Sequence, residues 1–222
     1  MTKRGVDSLL RLMAWMSPAF PVGGFSYSGG LESAVHDRRI SDAAELRGWI
    51  TLSLTRGTLW NDAVLFAQGW SAAQNAVVLQ ELAELAQALA GSAERHRETV
   101  LLGDAFVEAA RAWPSAVFDI LPKSPTYPVA VGAVAAAHGI SLEDALAAYL
   151  HSGVSQLVSA GIRLSVAGQK DGVGILAVLE DEIADVTQRA ASSTLDDLGS
   201  STIIADTAPM RHEVQGTRLF RS

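Results

Sequence analysis

A chain of 222 residues is long enough to bury one full core, or at most two small ones, and its formal charge of -7 argues against a broad nucleic-acid surface, which needs a stripe of lysine and arginine. The absence of cysteine excludes disulfides, zinc ribbons, iron-sulfur sites and thiol nucleophiles, and fits a reducing cytoplasm. MTKRGVDSLL at the start mixes Lys3 and Arg4 with Asp7, and no continuous apolar run follows, so no signal peptide is expected.

Helical spacing dominates from there on. Leu9, Leu10, Leu12, Met13 and Met16 give a first apolar face, which Ser17-Pro18 ends because proline disfavours helix at its predecessor. Leu31 to Arg38 reads as a short helix, and Ser41 as the N-cap of the next, with Asp42 and Glu45 in a first turn where the macrodipole favours acids. Leu46, Trp49, Ile50 and Leu54 form its inward stripe. Further helices are predicted over 61–73, 75–90 and 92–112, followed by a proline-rich loop, LPKSPTYP, at 121–128 and an alanine-rich helix over 128–138.

Ser141 with Asp144 approximates a capping box that opens a long helix to about Leu164. Helical spacing resumes over 175–191, SSTLDDLGSSTIIADTAPM is polar and broken, and the chain closes on RHEVQGTRLFRS. Residues 124–142 and 145–162 carry no Asp, Glu, Lys or Arg. Pro125, Pro128, His151, Ser152, Ser155, Gln156 and Ser159 nevertheless make them buried core helices rather than a membrane hairpin. The predicted fold is all-α, a single-domain bundle of about eight to ten helices.

The stretch SPAFPVGGFSYSGGLE, residues 17–32, admits three readings. A phosphate cradle fails, because no Lys-Ser/Thr pair follows the last glycine and Glu32 puts a carboxylate where the anion would sit. A serine nucleophile at Ser26 with His36 as base would make a small helical hydrolase, but the Gly-x-Ser-x-Gly elbow lacks its second glycine and its strand. An ordered turn fits best: Pro18 and Pro21 stiffen the approach, glycines permit positive φ, and Phe25 and Tyr27 are either displayed to a partner or plugged into the core.

The histidines at 36, 96, 138, 151 and 212 are scattered, and Glu32 and His36 form an i,i+4 pair that reads as a helix-surface contact rather than two metal ligands. His151, Ser152, Ser155, Gln156, Ser159 and Arg163 fall along one side of the long helix, suiting close helix approach, a wet groove or a solvated face. In the tail, Arg211, Arg218 and Arg221 accompany a single Glu213 and the apolar pair Leu219-Phe220, as in a segment that frays alone and orders on a partner.

Five stretches in order, LLRLMAWMSPAFPVGGFSYSGGLESAV (9–35), DAVLFAQGW (62–70), YPVAVGAVAAAHGI (127–140), LVSAGIRLSVAGQ (157–169) and PMRHEVQGTRLFRS (209–222), resemble the urease accessory protein UreF family along essentially the whole chain. Val166-Ala167 before Gly168-Gln169 and Val173 depart from the family's proline and second glutamine.

The resemblance implies a cytoplasmic, dimer-forming, non-enzymatic chaperone subunit that bridges UreD and the GTPase UreG, so that nickel is inserted into apo-urease in a GTP-dependent way. It implies no tightly bound cofactor, nickel only passing through the assembled complex, no nucleic acid and no membrane. The lack of cysteine and the dispersed histidines are compatible with a protein that lets nickel pass without keeping it. Residues 1–208 are then the helical domain and 209–222 a partner-binding tail. The expected partner-binding residues are Phe25, Ser26, Tyr27, Glu32, Arg211, His212, Glu213, Gln215, Arg218, Leu219, Phe220 and Arg221. Ser26, Glu32 and the 151–163 stripe are candidates for lining a nickel passage.

Overall fold

The computed structural model describes residues 3–221, apart from the side chains of Arg4, Ile203, Ile204 and Asp206. It is all-α, as expected. The helices are α1 (Lys3–Trp15), α2 (Leu31–His36), α3 (Ala43–Arg56), α4 (Thr58–Ser71), α5 (Ala76–Ala88), α6 (Ala93–Ala110), α7 (Tyr127–Ala137), α8 (Leu142–Arg163), α9 (Gln169–Val178), α10 (Glu180–Ala191) and α11 (Ile203–His212). Among the described residues there is no strand and no helix long and apolar enough to cross a membrane.

At the centre α4 lies against α7, whose residues Pro128 to Ala135 are all buried. That burial explains why the segment carries no charge. Two glycines allow the close approach: a Cβ on Gly69 would stand 2.7 Å from the Val129 carbonyl oxygen, and one on Gly132 would run into that of Phe66. Phe66, Phe106, Trp15, Leu146 and Leu150 fill the rest, all buried. Trp15 meets Phe106 and Trp113 edge to face, the arrangement that ring quadrupoles favour.

Local signals set most boundaries. Ser141 caps α8 and exchanges hydrogen bonds with Asp144, as predicted. At α3 the cap is Asp42, whose carboxylate accepts from the amides of Ala44 and Glu45, while Ser41 bonds the Glu45 side chain. The 175–191 segment divides at Leu179 into α9 and α10, and α9 starts earlier than predicted because the Asp171 carboxylate accepts the Gly168 amide. Of the apolar face expected on α1, Leu12 is buried, but Leu9, Leu10 and Met13 are exposed.

The largest departure is α11, which begins inside the stretch read as polar and broken and continues to His212. The 208/209 boundary therefore falls within a helix. α11 crosses α2 at Gly30, where φ is +81° and a Cβ would meet Pro209 Cδ at 2.8 Å and Ala208 Cβ at 2.9 Å. Only glycine combines that left-handed backbone with that clearance.

Candidate functional site: a loop and tail joined by a carboxylate

Residues 17–36 and 208–221, from opposite ends of the chain, meet on one face. The junction is Glu32, in the first turn of α2. One of its oxygens accepts the Leu219 amide at 2.7 Å, and the other accepts the Phe220 amide at 2.9 Å and lies 2.9 Å from His212 Nε2. His212 is fully buried, and its Nδ1 is 2.8 Å from Glu94 Oε2 on α6. Glu94 also accepts from Arg218 at 2.7 Å, and its own amide donates to Glu213 Oε1 at 3.1 Å. Ionised carboxylates only accept, so with both acids ionised the two His212 contacts are both hydrogen bonds only when each imidazole nitrogen carries a proton.

Burial alone would raise the Glu32 carboxyl. The hydrogen bonds from Leu219, His212 and Phe220, with the charge of His212, outweigh it and hold the group below its ordinary value. At the rim, Arg211 donates to Asp37 at 2.9 Å, and that bond keeps the Asp37 carboxyl low.

The loop is fastened from α8. Gln156 donates to the Tyr27 carbonyl at 3.3 Å, Ser152 to that of Met16 at 3.3 Å, and Arg163 to that of Phe25. The Arg163 guanidinium also stacks 4.1 Å from the Phe220 ring centre, and the Arg221 amide donates to the Ser26 carbonyl at 2.7 Å. Three members of the polar stripe thus hold loop carbonyls. The Gln215 side chain donates within the tail, to the Thr217 carbonyl at 2.9 Å.

The choice between display and plug divides between two neighbouring residues. Phe25 is 71% exposed, whereas Tyr27 is 5% exposed. In the tail Leu219 is exposed and Phe220 is buried. The expectation that this tail frays is corrected here: the body itself supplies acceptors for its amides and a pocket for its ring. Tyr27, Glu32, His212 and Phe220 lie beneath the surface and hold it up, while Phe25, Arg211, Glu213, Arg218, Leu219 and Arg221 form it.

Sequence reasoning missed Glu94 as part of this face, and placed Arg163 in the polar stripe without its contacts to Phe25 and Phe220. No local signal marks Glu94, which looks like any acid in a helix first turn. His36, assigned to Glu32 by spacing, is instead exposed and 3.6 Å from Asp37, and no hydrogen bond among the described residues joins it to Ser26. No group of three His, Asp or Glu among the described residues converges as metal ligands would. The imidazole of His212 bridges two acids through opposite nitrogens, which is a hydrogen-bonding arrangement.

Behind this face is a cavity of about 230 Å³, lined among others by Asp62, Arg95, Tyr127, Tyr149, Ser152 and Gln156. Arg95 lies 2.6 Å from Asp62 and 3.3 Å from Glu98, and the Tyr149 hydroxyl donates to Asp62 at 3.3 Å. Burial and the Asp62 charge push the phenols of Tyr127 and Tyr149 up, so both stay protonated.

A sequence model described as UreF matches residues 40–180. The urease accessory protein UreF of Agrobacterium fabrum is 68% identical over 218 residues, covering 98% of both chains. That of Rhizobium johnstonii is 62% identical over 219 residues, covering 99% of this chain and 98% of the relative. Urease accessory protein UreF 1 of Brucella suis is 55% identical over 221 residues, covering all of this chain and 97% of its own.

Proposed function

Because the chain belongs to the UreF family of urease accessory proteins, we propose that it acts as a non-enzymatic scaffold that bridges UreD and the GTPase UreG while nickel, the cargo, is inserted into apo-urease in a GTP-dependent way. It works in the cytoplasm as a homodimer within that complex and keeps no cofactor of its own. Neither nucleic acid nor membrane is a partner. The loop-and-tail face is the surface offered to UreD.

The observation that carries this reading is the Glu32 junction. Three hydrogen bonds converge on one buried carboxylate to set the position of the tail. Rigid presentation of Phe25, Arg218, Leu219 and Arg221 lowers the ordering cost of association, which a fraying tail would have to meet at binding. An exposed aromatic and arginines around a buried anchor are also the composition of interface hot spots.

The test is co-expression with UreD. Wild-type chain is expected to retain UreD on affinity resin, and a chain ending at Ala208 to lose it. Undiminished retention would remove the tail from the account. The hydrolase alternative is tested with a chromogenic ester: turnover that disappears in Ser26→Ala would displace the scaffold reading.

A further inference from the structure

Beside the Glu32 junction lies an open groove of about 440 Å³, lined by Tyr27, Glu94, Arg97, Leu101, Arg218, Phe220 and Arg221. Three arginines thus line the groove with one glutamate, in a chain whose total charge is -7. Glu94 is already committed to Arg218 and His212. Among the described residues neither Arg97 nor Arg221 has an ion-pair partner, and both are exposed. The apolar content is also uncovered: Leu101 is 43% exposed on the groove wall, and Leu219 on the adjoining tail is 57% exposed.

We propose that this groove docks an acidic segment of a partner protein, its carboxylates on Arg97 and Arg221 and a flanking apolar side chain against Leu101 and Leu219. The proposal rests on the reading that the loop-and-tail face meets another protein, and it adds the chemistry of that partner. Charge complementarity selects the occupant. Arginine presents a planar fork that pairs two-to-two with carboxylates, and pairing two unpartnered forks at a rim steers association as well as fixing register. The uncovered leucines favour a peptide over a phosphate group or a nucleic-acid backbone, neither of which offers anything to bury against them.

UreD co-expressed with the full-length chain is the probe. Arg97→Glu and the double change Arg97→Glu with Arg221→Glu are expected to lower retained UreD at least tenfold. Retention by the wild type is expected to fall as salt rises from about 0.1 to 0.5 M, with a shallower fall for Arg97→Gln with Arg221→Gln. Unchanged circular dichroism and melting confirm that these surface variants fold. Retention unaffected by the charge reversals, with loss in the chain ending at Ala208, overturns the acidic docking and leaves the tail reading standing. Retention unaffected by any of these changes overturns both. Sedimentation with phosphatidylserine vesicles that requires Arg97 and Arg221, with UreD retention unchanged, assigns the groove to lipid headgroups and likewise overturns the proposal.

Discussion

Glu32 accepts a hydrogen bond from the amide of Phe220, 188 residues further along the chain, with an N–O distance of 2.9 Å. The partner of a buried acid in the second helix is therefore supplied by the last residues described. Removing the carboxylate leaves two amides and an imidazole without their acceptor. Glu32→Ala is expected to cost about 3 kcal/mol in the tail-docking equilibrium, or roughly a hundredfold in opening. The effect should appear as faster amide exchange at Leu219 and Phe220 and faster tryptic cleavage after Arg218. Exchange unchanged from wild type would show that the clamp does not hold the tail.

The sign of the pH dependence follows from the same carboxylate. Its folded value lies below the ordinary 4.5, so its contribution is fully present above that pH and is lost as pH falls through the lowered value. The amide signals of Leu219 and Phe220, followed by NMR, should move together only below the usual carboxylate range, and Glu32→Gln should abolish that step. A wild-type midpoint above 4.5 would contradict the direction.

Gly30 and Gly174 make a matched pair. At Gly30 the backbone is left-handed and a Cβ would strike Ala208 and Pro209, whereas at Gly174 in α9 nothing stands within 4 Å. Gly30→Ala is expected to destabilise by at least ~1–3 kcal/mol and to loosen α11. Gly174→Ala should be neutral or stabilising by up to ~1 kcal/mol, since alanine is the better helix former. Urea melts of both variants check this.

Phe25 and Tyr27 should separate binding from folding. Phe25→Ala removes an exposed ring and is expected to shift stability by less than about 0.5 kcal/mol while weakening UreD retention. Tyr27→Ala empties a buried position and should cost about 3–5 kcal/mol. Equal losses of stability in the two variants would show that both rings serve the core.

Which of these features the sequence declares depends on how far apart the interacting groups lie. The all-α class, the Ser141 cap and the charge-free burial of α7 rest on neighbours within one or two turns, and local spacing carries them. Phe25 and Tyr27 are equally aromatic and two residues apart, so nothing in their order says which one faces inward. His212 sees Glu32 and Glu94 across 180 and 118 residues, and no periodicity reports such a meeting. α11 escaped notice because Pro209 and a polar composition argue against helix, while the contact that favours it, the cleft at Gly30, lies in another part of the chain.

The long separation also bears on how the protein is made. At about 5–20 residues per second, roughly 10–40 s of synthesis separate Glu32 from the residues that close upon it. Throughout that interval the acid stays hydrated and the glycine loop lacks its counterpart. A nascent or prematurely terminated chain thus lacks the Leu219 and Phe220 amides that close upon Glu32.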